Sequence, residues 1–242
     1  MEKYVFLFRR QQFEYLTKSV ALASGALLVT TTATLVCYCF VKDSFATSIF
    51  GGSFAWFLFF IPALIARYRN FICNKIPFGL FFLLIALSVS LPMFGIVIRA
   101  GLALTLLALL SAIVWFFYTL RRGMLVRKTR GIVGLYFLML ACVFVCSLFE
   151  AIVAMINNGA PSMYATFIVA AIIFGKINVH DVHRFRTQLP EGTAVKEKDI
   201  NQIVQNTALS LYLNFIGMVF VVDFMKFVVK VWYESPKKRV SE

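Results

Sequence analysis

Residues 19–41 read SVALASGALLVTTTATLVCYCFV, a run with no acidic or basic side chain. About 20 apolar residues in a helix cross a bilayer, because each adds about 1.5 Å of rise and the hydrocarbon core is about 30 Å thick. The run exceeds the apolar core of a signal peptide, about 7 to 15 residues, and no small-residue cleavage site follows it. An anchor that stays in the chain is expected.

Working outward, uncharged stretches of similar length return at 44–66, 76–98 and 100–120. A fifth begins at 131 and carries Glu150 inside it before the turn cluster Asn157, Asn158, Gly159, Ala160, Pro161 and Ser162. A sixth covers 164–179, interrupted by Lys176, and a shorter seventh covers 208–222 and runs on past Asp223 and Lys226 towards Trp232. The pattern predicts an all-α integral membrane protein of about seven transmembrane helices, the last one short and central to the bundle. Its parts are a cytoplasmic N-terminal segment (1–18), a membrane domain (19–232) and a basic C-terminal tail (233–242). Pro62 and Pro92 fall inside spans, where neighbouring helices compensate the lost hydrogen bonds.

Composition excludes the other classes. Hydrophobic residues make up 61% of the 242 and charged residues 14%, whereas a soluble domain needs about a quarter charged. Five cysteines are too few for a disulfide scaffold. The net charge of +13 raises the question of nucleic acid, but no recognition motif accompanies it. The cations sit between the apolar runs instead, which points to topology: four precede the first span, three follow the second, five follow the fourth and four follow the sixth. The opposite connections hold Lys42 and Arg99. By the positive-inside rule the N-terminus is cytoplasmic. The tail, with Lys237, Lys238 and Arg239, dissents: it lies outside if the seventh segment crosses and inside if that segment re-enters.

No phosphate-cradling glycine loop, nucleophile elbow or zinc-protease helix is present, so no enzyme and no bound cofactor are expected. His180 and His183, three apart, and Cys142 and Cys146, four apart, have metal-ligand spacing; an interfacial role for the histidines and a packing role for the cysteines are the favoured readings. Charges inside spans are costly and mark function by default. From helix rise, Arg67, Asp181 and Asn214 form an inner layer, and Glu150, Asp223 and Lys226 an outer one, where snorkelling at the headgroups is the plainer reading.

The segment Ala208, Leu209, Ser210, Leu211, Tyr212, Leu213, Asn214, Phe215, Ile216 resembles the last transmembrane segment of the Bax-inhibitor family, the transmembrane Bax inhibitor motif proteins. The end of span six, Asn178 to Arg184, resembles the corresponding part of that family. The resemblance implies a pH-regulated calcium leak, in which an aspartate pair on spans six and seven shares a proton and an arginine at the end of span two latches it. Asp181 stands at the first aspartate position, where calcium is the expected ligand, and Arg67 at the latch; the second aspartate is replaced by Asn214. An amide cannot share a proton as a carboxylate does, so a flux with weak pH dependence is expected. Another branch of the family, lacking the pair, implies an interaction protein of a membrane-anchored AAA protease or other stress-survival machinery. The expected partners are thus the lipid bilayer, calcium or protons, and a membrane protease. The short connections favour a bacterial inner membrane, with endoplasmic reticulum or Golgi as the alternative.

Overall fold

The computed structural model describes residues 4–41, 76–100, 132–157 and 164–240, with positions 61, 62 and 65. In chain order these form β1 (Tyr4–Phe6), α1 (Arg9–Val41), α2 (Phe78–Ala100), α3 (Ile132–Ile156), α4 (Tyr164–Gln188), β2 (Ala194–Lys196) and α5 (Glu197–Val240). Among the described residues three stretches are long and apolar enough to cross a membrane, Arg9–Phe40, Phe78–Ile98 and Glu197–Val221, and Ala141–Ile156 is a shorter apolar helix. Most of the expected spans at 44–66 and 100–120 lie outside the described residues.

The expectation of a short last helix is corrected. α5 has 44 residues, about 66 Å of helix, against a hydrocarbon core of about 30 Å. Hydropathy sees only the run after Ala208, but the helix begins at Glu197. There Glu197 and Asp199 occupy the first turn, where negative side chains favour the positive end of the helix dipole. Ile200, Val204, Ala208 and Leu211 are buried at helical spacing. α4 likewise runs on to Gln188, so the connection before α5 is residues 189–196 rather than the long loop 184–206. α5 is helical throughout Glu197–Val240.

The chain falls into two compact units that divide α4 and α5 between them. The first comprises Met1–Ala108 and Asp181–Leu213. Its α1 buries Gln12, Leu16, Ser19, Ala23, Ala26, Thr30 and Thr34, a stripe with steps of three and four that turns one face to neighbours. Leu28, Val36 and Phe40 on the other faces stay exposed, as lipid-facing positions do. The helix starts at Arg9, well before the apolar run, because the stripe already operates at Gln12 and Leu16.

Threonine hydroxyls tie α1 to α2. Thr30 Oγ1 lies 2.9 Å from the carbonyl of Ala26, 3.0 Å from that of Ala86 and 2.7 Å from the Tyr212 hydroxyl. One hydroxyl hydrogen cannot serve both carbonyls and the phenol, so Tyr212 donates to Thr30, and Thr30 donates to a carbonyl. Thr34 Oγ1 donates to the carbonyl of Thr30 at 2.7 Å and lies 3.3 Å from that of Ser90. Both contacts to α2 span 56 residues, so α1 and α2 point the same way. Phe82 meets the Tyr212 ring edge-on at 5.5 Å. Tyr212→Phe keeps this ring contact and deletes the buried hydroxyl bond. Its expected cost is about 1 kcal/mol, within the range of interhelical hydrogen bonds in membranes, read as unfolding in detergent.

At the base of this unit, β1 pairs antiparallel with β2 in the register Tyr4↔Lys196, Val5↔Val195 and Phe6↔Ala194. The Leu7 amide donates to the Thr193 carbonyl and the Gly192 amide to the Leu7 carbonyl, each at 2.9 Å. Gly192 has a φ of 82°, the left-handed region open to glycine. The Gln12 side-chain amide donates to the Leu189 carbonyl.

The second unit comprises Leu109–His180 and Asn214–Glu242. In it α3 and α4 meet at the start of α4. The Glu150 carboxylate accepts from the amides of Ala165 at 2.8 Å and Thr166 at 3.3 Å, and from the Thr166 hydroxyl at 2.7 Å. Ser147 Oγ lies 3.2 Å from Thr166 Oγ1. The first turn of a helix leaves its amides without intrahelical partners, and a carboxylate from the neighbouring helix fills that need here. Farther along, Gly217 of α5 leaves room for Phe174 of α4, whose ring would be 3.6 Å from a Cβ at that position.

Candidate functional site

Four polar side chains on α4 and α5 pair between the two helices, one pair in each unit. In the first unit, Asp181 on α4 is 7% exposed, and Ser210 Oγ on α5 donates to its Oδ2 at 2.6 Å. In the second unit, Asn214 Nδ2 on α5 donates to Asn178 Oδ1 on α4 at 3.1 Å, and both amides are buried. Asn178 precedes Asp181 by three residues and Asn214 follows Ser210 by four, the spacings that share one helix face.

This arrangement is chemically specific. In the first unit the Asp181 carboxylate, held by Ser210, is a hard acceptor of the kind that binds calcium or other hard cations, and in the second unit the Asn178–Asn214 pair is a neutral amide contact between buried side chains. Among the described residues no group of three or more His, Cys, Asp or Glu side chains could hold a metal.

The sequence-predicted residues separate into three sets. Asp181 and Asn214 are both buried on facing helices, each with a partner that sequence reasoning missed, Ser210 and Asn178. Glu150 is at the N-terminus of α4, and Thr166 stands 15 positions before Asp181 on that helix, about 22 Å of rise. Asp223 is buried at 7% exposure. Arg67 and the side chain of Lys226 lie outside the described residues. His180 and His183 are partly buried on α4, and Cys142 and Cys146 on α3 are free thiols.

Comparison with known proteins gives no match to a family model, a curated protein or a solved structure.

Proposed function

We propose that this chain is a seven-span membrane protein, a divergent relative of the Bax-inhibitor family, that passes calcium along the α4–α5 pair past Asp181. The observation that carries the reading is the buried Asp181 carboxylate, held by Ser210. A buried carboxylate costs free energy that a purely structural helix contact does not require, so such residues in spans mark ion paths. The Asn178–Asn214 pair continues the polar face without adding charge.

Two features support the topology. β1 precedes the first span and β2 follows the sixth; strands that pair must lie on one side of the bilayer, which requires an even number of crossings between them. α1 and α2 point the same way, which requires an odd number of crossings in the connection that joins them. Six crossings, one of them at 44–66, satisfy both. Cysteine labelling with an impermeant maleimide, on a background lacking native thiols, tests this in intact cells. Met124→Cys and Thr193→Cys should stay unmodified and Ser241→Cys should react; labelling at Thr193→Cys overturns the orientation. A bacterial inner membrane with the N-terminus in the cytoplasm is the setting we assign.

The test of function is calcium flux through purified protein in liposomes. Wild type should conduct, and Asp181→Asn should lower the flux at least about tenfold, about 1.4 kcal/mol in barrier terms. A second reading, a non-conducting partner of a membrane-anchored protease, is favoured by the neutral Asn178–Asn214 pair and prevails if wild type is silent.

A further inference from the structure

Between α1, α2 and the first turns of α5, the first unit holds an open groove of about 900 Å³, within the range of about 300–1,000 Å³ typical of ligand sites. One end is polar: Lys18 from α1 lines it together with Asn201 and Gln205 from α5. The walls beyond are apolar, and along α1 the lining runs from Lys18 to Val29, about 16 Å of rise. That is close to half of the roughly 30 Å hydrocarbon core, the depth of one leaflet. The groove ends where Ala86 on its wall accepts from Thr30, which also meets Tyr212.

Two glycines set its width. Gly25 of α1 and Gly79 of α2 both line the groove, and a Cβ added to either would meet nothing within 4 Å. Glycine destabilises a helix interior relative to alanine, and membrane helices accept it where backbones touch. Here a Cβ at either glycine would enter open space. At the mouth, the exposed Lys18 ammonium sits over the Tyr15 ring, 5.1 Å from its centroid, and among the described residues it has no carboxylate partner.

A cation beside two amide side chains, above an apolar trough one leaflet deep, is complementary to one amphiphile. We infer that the groove binds an anionic phospholipid of the adjoining leaflet, with the headgroup phosphate on Lys18 and an acyl chain laid past Gly25 and Gly79. This does not rest on ion conduction. Native mass spectrometry of the full chain released from nanodiscs tests it, using phosphatidylglycerol and phosphatidylcholine with identical acyl chains. Wild type should retain phosphatidylglycerol in preference to phosphatidylcholine. Lys18→Gln should lower that preference about fivefold, the effect of one basic residue at an anionic surface. Gly25→Leu/Gly79→Leu should fill the trough and lose both retained lipids, while Gly25→Ala keeps them. Equal retention of the two lipids by wild type, or undiminished retention by the double variant, overturns the assignment. So does a wild-type dimer that Gly25→Leu converts to monomer, since a second copy would then be the occupant. If the double variant does not fold, Lys18→Gln decides alone: an unchanged lipid preference refutes the site.

Discussion

Glu150→Ala should destabilise the protein by about 3 kcal/mol, the largest stability effect expected of any single substitution outside the apolar core. The carboxylate accepts three hydrogen bonds at the start of α4, from the amides of Ala165 and Thr166 and from the Thr166 hydroxyl. It is 9% exposed, so water does not replace it when it is removed. Hydrogen bonds to charged acceptors contribute about 1.5–3 kcal/mol, and the negative charge also faces the positive end of the α4 dipole, a further 0.3–1 kcal/mol by rough reckoning. Glu150→Gln should lose less, about 1–2 kcal/mol, because an amide oxygen still accepts while its NH2 faces a donor. Unfolding in detergent measures both. A snorkelling carboxylate at the headgroups would give below about 0.5 kcal/mol for either change, and that result would remove the cap from the account.

Glu150 also shows where a linear reading stops. It was legible as an acid in an apolar run, and helix rise put it far from Asp181. Its partner was hidden: the amides that need a carboxylate belong to the next helix, and only the return of the chain after the turn cluster brings them within reach. The apolar cores of α1 and α2 were legible because length and apolar composition mark a spanning helix, and the starts or ends of α1 to α4 fall within a few residues of the uncharged runs. The polar ends were not. Residues 9–18 and 197–207 are helical because a stripe of buried positions, such as Gln12, Leu16 and Ser19 or Ile200, Val204 and Ala208, continues beyond the apolar run, and hydropathy averages that stripe away. The β1–β2 pair escaped for another reason. Each strand has three residues, too short for an alternating pattern to register, and they meet from opposite ends of the chain. At the candidate site the acid and amide were readable as polar residues in spans. Their partners Ser210 and Asn178 lie on another helix, 29 and 36 residues away, a separation that no local pattern bridges.

For the calcium path proposed above, Asn214→Asp should convert a weak pH dependence of the flux into a steep one near neutrality. In the wild type Asp181 is hydrogen-bonded by Ser210, and the position one turn along α5 from Ser210 carries an amide bonded to Asn178. Position 214 supplies an amide rather than the carboxylate of a proton-sharing pair, so the flux of the proposed path is expected to change less than about twofold between roughly pH 6 and pH 8. Aspartate at 214 adds a second negative charge to that path. Two close carboxylates resist ionising together, which raises the proton affinity of the pair and moves its titration towards neutrality. The flux should then change by up to about tenfold per pH unit, the limit for a single proton. Histidine also changes charge in this range, and His180 and His183 flank Asp181 on α4. The comparison is therefore made with both replaced by glutamine. If a pH dependence persists in the wild type and vanishes in the His180→Gln/His183→Gln variant, the histidines gate the path. If Asn214→Asp conducts with the same flat profile as its parent, positions 181 and 214 do not act on one ion. A steep profile in Asn214→Asp that Asp181→Asn then flattens requires both residues to face the same cation.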